Sequence, residues 1–158
     1  MLRDPCRAIW LAPIFFLLHV AEEAPGFVAW FNSLVAPGIN PQLFAWANGV
    51  GFLITLSIAA LLATSRDRVA SLVAIAWLGF LMLGNSILHI TATWVLGRYA
   101  PGVITSVLLY LPFFLWFWVR SIDRFGLRMV TAVAMALAGA LPMLIHGYFI
   151  VFLGRRLV

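Results

Sequence analysis

The chain has very few charged residues and few of the side chains on which most protein chemistry depends. Of its 158 residues only 9% are charged and 65% are hydrophobic, a balance that excludes a water-soluble domain of this length. Its single cysteine, Cys6, excludes a disulfide or a thiolate metal site within one chain. Only two glutamates are present, which argues against a dinuclear carboxylate centre, because such centres typically take four carboxylates.

Long apolar segments are what the chain has in abundance. Five of them reach or nearly reach the roughly 20 residues that cross a bilayer as a helix. They cover residues 8–24, 41–64, 69–96, 102–119 and 127–153. The first follows Arg3 and Arg7 as a signal peptide would, but no clean cleavage site follows it, so we expect a retained helix. We predict an all-α integral membrane bundle of about five transmembrane helices, forming one domain over residues 1–158.

The ten basic residues are all arginine, and their distribution predicts the orientation of this bundle. Seven fall on one side, namely Arg3, Arg7, Arg66, Arg68, Arg120, Arg124 and Arg128, and three on the other, namely Arg98, Arg155 and Arg156. The excess of positive charge favours a cytoplasmic N-terminus. Because the arginines are spread over several short loops, the net charge of +5 indicates contact with membrane lipid and no binding of nucleic acid. The seven tryptophans lie mostly near segment ends, as in an interfacial aromatic belt.

Three ionisable side chains interrupt the first apolar segment near its end. His19, Glu22 and Glu23 stand at positions i, i+3 and i+4, which places them on one face of a helix. Each such group inside a membrane helix costs on the order of 2.5 to 3.5 kcal/mol, so these groups usually pair, line a cavity or bind an ion. We therefore expect a polar site at this position.

The three histidines are predicted to lie at one depth. His19, His89 and His146 occupy the first, third and fifth segments, which run in the same direction. They lie roughly 9 to 14 Å from the outer ends of those segments at 1.5 Å per residue. The same layer contains Asn85, one turn before His89, and two residues of the antiparallel segments, Asn48 and Tyr110. The pattern predicts one polar cavity in the outer half of the membrane.

Imidazoles together with a carboxylate form a common ligand set for zinc or non-haem iron. The predicted ligands of a divalent transition metal, with zinc favoured over iron, are His19, His89 and His146 with Glu22 or Glu23. The other glutamate is predicted to act as acid or base toward a water molecule, with Asn85 and Tyr110 completing the catalytic group.

The run His19-Val20-Ala21-Glu22-Glu23 matches the H-x-x-E-E signature, and the chain resembles the HXXEE family of small bacterial integral membrane proteins. Asn85 with His89, residues 99–105 and His146 are similar to further motifs of that family. The resemblance implies a bacterial inner-membrane protein of unknown function that is expected to be an enzyme, and it supplies no substrate. It implies site roles for His19, Glu22, Glu23, Asn85 and His89, and a loop at the mouth of the site formed by Tyr99, Pro101, Gly102 and Thr105.

Two classes of function are compatible with this pattern. The first is an intramembrane metal-dependent enzyme, a hydrolase or lipid-modifying enzyme, whose amphiphilic substrate enters from the bilayer. The second is a non-enzymatic membrane protein that binds or carries a metal ion, a proton or a small ligand through the same cluster. A carrier needs polar groups in both halves of the membrane, and the cytoplasmic half offers little beyond Thr55, Ser57 and Ser71. This asymmetry favours the enzyme.

Overall fold

The computed structural model describes residues 4–35 and 38–154, and over these residues the fold is all-α. Arg3, Arg155 and Arg156, which entered the orientation prediction, lie outside the described residues. The helices are α1 at Pro5–Glu23 with a turn at Ile9 and Trp10, α2 at Phe27–Asn32, α3 at Pro41–Ser65, α4 at Arg68–Leu96, α5 at Val103–Phe125 and α6 at Met129–Leu153.

Five of these helices are long and apolar enough to cross a membrane, which confirms the predicted bundle. Asn40 and Asp67 cap the starts of α3 and α4, where each side chain accepts a hydrogen bond from a backbone N–H of the first turn. The fourth predicted segment ends at residue 119, whereas α5 continues to Phe125. In its last turns Ser121 is buried and the charged residues around it are exposed, so the helix extends beyond the end of its apolar segment.

Helix α4 lies at the centre of the bundle and packs closely against α6. Gly79 and Gly84 face the backbone of Ala136 and Ala140, and a side chain at either glycine would crowd that backbone. Small residues of this kind let helices approach closely in lipid. The tight contact holds the following turns of α4, which contain Asn85 and His89, in a fixed position relative to the bundle.

Two π-helical segments interrupt the spanning helices beside the polar layer. One covers Gly79–Gly84 in α4 and ends directly before Asn85, and the other covers Ser106–Tyr110 in α5. The second precedes Pro112, whose ring lacks an N–H and crowds the carbonyl four residues earlier, which favours a widened turn. Such segments occur frequently at functional sites, and each changes the direction in which the next side chains point.

Candidate metal centre

His19 and Glu23 of α1 and His89 of α4 form one buried group, here called the His–Glu cluster. Their ligand atoms all lie within 4.8 Å of one another. Glu23 Oε1 is 3.1 Å from His89 Nε2 and 3.4 Å from His19 Nε2. The side chain of Glu23 belongs to a residue that is 5% exposed, and His19 and His89 are each 1% exposed. One carboxylate oxygen therefore faces a nitrogen of each imidazole in a site closed to solvent.

Glu22, one residue away, points to a different partner. Its Oε1 accepts hydrogen bonds from the Tyr99 hydroxyl at 2.6 Å and from the backbone N–H groups of Gly102 and Ile104 at 3.1 and 3.0 Å. Its Oε2 accepts from the N–H and the hydroxyl of Thr105 at 2.7 and 2.5 Å. These donors all belong to residues 99–105, which join α4 to α5 and include the first turn of α5, and which are here called the capping loop. The structure thus separates the two glutamates, and the oxygens of Glu22 are taken up by this loop instead of the predicted metal site.

Tyr99 lies in the connection between α4 and α5. Burial and the hydrogen bond to the Glu22 carboxylate raise the pKa of Tyr99 to about 12. A phenol donates only while it is protonated, so this contact is fully present below the ordinary value of 10 and is lost as the pH rises through about 12. The contact between Tyr99 and Glu22 therefore persists throughout the neutral pH range.

The capping loop closes over both histidines of the cluster at Gly102. The backbone of Gly102 has φ of +99°, a conformation that side chains other than glycine rarely adopt. A Cβ atom added here would lie 2.8 Å from His19 Cε1 and 2.9 Å from His89 Cε1. Glycine is required because the loop backbone rests directly against the two imidazole rings.

The predicted catalytic residues Asn85 and Tyr110 both border the cluster. The Asn85 side chain donates from Nδ2 to His19 Nε2 over 3.1 Å. The Tyr110 ring stacks on the His19 ring, with centroids 4.4 Å apart and planes inclined by 28°. Tyr110 is completely buried, and its hydroxyl makes no hydrogen bond to any residue that the structure describes. Tyr110 therefore contributes an unpaired hydroxyl beside the His–Glu cluster.

A cavity of about 430 Å³ opens from the cluster toward α3 and α6. His19, Glu23 and Asn85 form its polar end, and most of the remaining wall is apolar or aromatic. His146 also lines this cavity, but it is not one of the three groups of the cluster, so the predicted third imidazole stands apart from the other two. Asn48 lines the cavity as well, and its Nδ2 donates to the carbonyl of Phe44 in its own helix.

The short helix α2 covers the cluster with aromatic rings. Phe27 and Trp30 lie against His89, with ring centroids 6.2 and 6.4 Å away. Trp30 is only 8% exposed and lines the cavity, so its ring packs inside the protein beside His89. A six-residue helix shows no clear hydrophobic period, which is why the sequence did not reveal these two residues.

A family model described as "Protein of unknown function with HXXEE motif" matches residues 10–117, which is more than half of the chain. The matched range includes the whole His–Glu cluster, the capping loop, Asn85 and Tyr110, and it ends before His146. Searches of curated proteins and of solved structures give no match.

Proposed function

The chain belongs to the HXXEE family, whose function is unknown, and we propose that it is an intramembrane metal-dependent hydrolase or related lipid-modifying enzyme. The His–Glu cluster binds a divalent transition metal, with zinc favoured over iron. The observation that carries this proposal is the convergence of two imidazoles and one carboxylate in a buried site. Neither nitrogen of His89 makes a hydrogen bond to a described residue, although Nε2 lies 3.1 Å from Glu23 Oε1.

The distances within the cluster fit a shared metal ion. Two ligand atoms that each lie about 2.0 to 2.1 Å from one ion are roughly 3.3 Å apart at a tetrahedral angle. The two nitrogen-to-oxygen distances of 3.1 and 3.4 Å bracket this value. Two histidines and one glutamate are also the protein ligands of several zinc hydrolases, which leave the fourth position open. A buried carboxylate between two imidazoles is costly in a membrane unless an ion or a proton compensates it.

A bound divalent metal supplies Lewis acidity, which activates water or polarises a carbonyl oxygen. The surrounding residues supply the remaining chemistry. One oxygen of Glu23 would hold the metal together with His19 and His89, and its other oxygen takes a proton as water adds to an acyl carbonyl of the substrate. The proton then passes to the alcohol when the acyl–oxygen bond breaks. The Asn85 amide lines the polar end of the cavity and is able to donate a hydrogen bond to the negative charge that develops on the carbonyl oxygen, whereas Tyr110 stacks on the His19 ring and does not line the cavity.

An amphiphilic substrate fits the shape of the cavity. Its volume of about 430 Å³ lies within the range of roughly 300 to 1,000 Å³ for small-molecule sites. The polar end would hold the reacting group and the aromatic wall an acyl chain. Phe16, Phe44 and Asn48 also line a groove between α1 and α3, so the cavity adjoins a lateral route from the lipid. With the N-terminus in the cytoplasm of a bacterial inner membrane, this end lies in the outer half of the bilayer.

The polar groups in the predicted cytoplasmic half of the membrane argue against a carrier function. The Thr55 hydroxyl donates to the carbonyl of Gly51 and accepts from the Trp77 indole N–H. The Ser57 hydroxyl donates to the carbonyl of Leu53. The Thr55 and Ser57 hydroxyls are committed to contacts within the bundle, which leaves the Ser71 hydroxyl, buried and unpaired among the described residues. One unpaired hydroxyl offers no continuous path for an ion to the other face.

The proposal predicts zinc-dependent hydrolysis of chromogenic acyl esters by the detergent-solubilised protein. Removal of zinc with a chelator abolishes the activity and added zinc restores it. Glu23→Gln lowers the rate by at least about 10²- to 10⁴-fold, the usual contribution of a positioned proton acceptor, because the amide cannot take the proton and is also a weaker ligand for the metal. Esters of increasing acyl length, assayed by release of the chromophore, test the fit to the cavity.

Two results would contradict the proposal in different ways. Stoichiometric zinc without hydrolysis of any ester in the series would support the non-enzymatic alternative, in which the cluster only binds a metal. A protein that binds no zinc at all would exclude both the metal site and the hydrolase.

A further inference from the structure

The Thr105 hydroxyl lies between Glu22 and His19. Its Oγ1 is 2.5 Å from Glu22 Oε2 and 2.7 Å from His19 Nδ1. The hydroxyl has a single hydrogen to donate, and an ionised carboxylate only accepts. Glu22 already accepts from the Tyr99 hydroxyl and from three backbone N–H groups of the capping loop, which holds it in the ionised form. The Thr105 hydrogen therefore points to Glu22, and His19 Nδ1–H donates to Thr105.

This direction of donation fixes the tautomer of His19. A neutral imidazole carries one N–H, so protonation at Nδ1 leaves the lone pair on Nε2. That nitrogen is the one that faces Glu23 Oε1 and the Asn85 amide. The Asn85 Nδ2 is a donor, so without a metal ion it also requires a lone pair on Nε2, the same lone pair that a bound metal would take in place of the amide. Two contacts from opposite sides of the ring specify the same tautomer.

We propose that Glu22 is a positioning residue for the metal centre. It holds the capping loop over the His–Glu cluster and, through Thr105, keeps His19 in the tautomer that presents Nε2 to the metal. Hydrogen-bonded partners of this kind orient histidine ligands in many metal sites. The inference rests on the proposed function, because the orientation of Nε2 matters only if this nitrogen binds a metal ion.

The spacing of the two glutamates explains how one turn of α1 both supplies a carboxylate to the His–Glu cluster and holds the capping loop. Glu22 and Glu23 are consecutive, so their side chains leave α1 about 100° apart. Glu23 reaches the buried imidazoles, and Glu22 reaches three backbone N–H groups that converge on it from the capping loop. Such converging N–H groups form an anion-binding concavity, and the carboxylate occupies it.

Thr105→Val and Thr105→Ser form a matched pair that tests this role. Valine keeps the shape and removes the hydroxyl, whereas serine keeps the hydroxyl and removes only the methyl group. Nitrogen-15 NMR of the metal-free, histidine-labelled protein distinguishes the two ring nitrogens, and the chain has three histidines to assign. We expect His19 to be protonated at Nδ1 in the wild type and in Thr105→Ser, and to shift toward the other tautomer in Thr105→Val.

Zinc titration gives the second measurement on the same proteins. Loss of an outer hydrogen-bond partner typically weakens metal binding by about 10- to 100-fold, which is the decrease expected for Thr105→Val. Thr105→Ser should bind zinc nearly as tightly as the wild type. This rescue by the conservative variant separates positioning from a general loss of packing.

The NMR measurement on the metal-free wild-type protein is sufficient by itself to overturn the inference. Protonation of His19 at Nε2 would contradict it without any substitution. An unchanged tautomer and unchanged zinc affinity in Thr105→Val would also contradict it. If the tautomer is as expected but the wild type binds no zinc, the metal proposal fails while the tautomer control by Thr105 stands.

Discussion

Replacing His89 with alanine should weaken zinc binding by more than about 100-fold, while His146→Ala leaves the affinity close to that of the wild type. His89 Nε2 lies 3.1 Å from Glu23 Oε1 and neither ring nitrogen makes a hydrogen bond to a described residue, whereas His146 only lines the cavity wall. Loss of a direct ligand should exceed the roughly 10- to 100-fold cost of losing an outer partner. Competition against a chromogenic chelator, on detergent-solubilised protein, measures both affinities.

His146→Ala is the matched control for this experiment, because it removes the same ring type from the wall of the cavity that adjoins the cluster. An equal loss of affinity in the two variants would place His146 among the ligands, as the sequence alone suggested. Unchanged zinc affinity in His89→Ala would mean that the cluster is not the metal site.

Gly102→Ala should destabilise the protein and weaken zinc binding, whereas Gly97→Ala should affect stability alone. Both glycines have positive φ, +99° and +62°, so alanine introduces backbone strain of about 1 to 2 kcal/mol at either position. Only at Gly102 would the new Cβ press on the rings of His19 and His89, while Gly97 has open space around it. The crowding adds about 1 to 3 kcal/mol to the loss of stability and displaces the imidazoles.

Thermal unfolding in detergent and zinc titration test this pair of variants together. The expected result is a lower unfolding temperature in both and a lower zinc affinity in Gly102→Ala only. Equal zinc affinity in the two variants would show that the capping loop does not control the geometry of the histidines.

The fold was predictable from the sequence because a bilayer accepts few solutions. Backbone groups in lipid must be satisfied within the helix, so apolar runs of sufficient length become spanning helices. The main departures have local causes. The extra turns of α5 beyond residue 119 are amphipathic, and the π-helical segments at Gly79–Gly84 and Ser106–Tyr110 accompany the close glycine packing of α4 and the proline at position 112. A simple count of apolar residues contains neither effect.

The site was predictable in its membership but not in its arrangement. Depth along the spanning helices placed His19, His89, Asn85 and Tyr110 in one layer, and the structure brings these four together. Depth does not give the rotation of each helix about its axis. Rotation decides that Glu23 enters the cluster while Glu22 faces the capping loop, about 80 residues further along the chain. His146 has the right depth but lies on the cavity wall.

X-ray absorption spectroscopy of the zinc-loaded wild type tests the metal centre most directly. We expect one zinc ion per chain, coordinated by two imidazole nitrogens and one carboxylate oxygen at about 2.0 to 2.2 Å, with a further light atom in the fourth position. Coordination by three imidazoles, or a chain that retains no stoichiometric zinc, would contradict it.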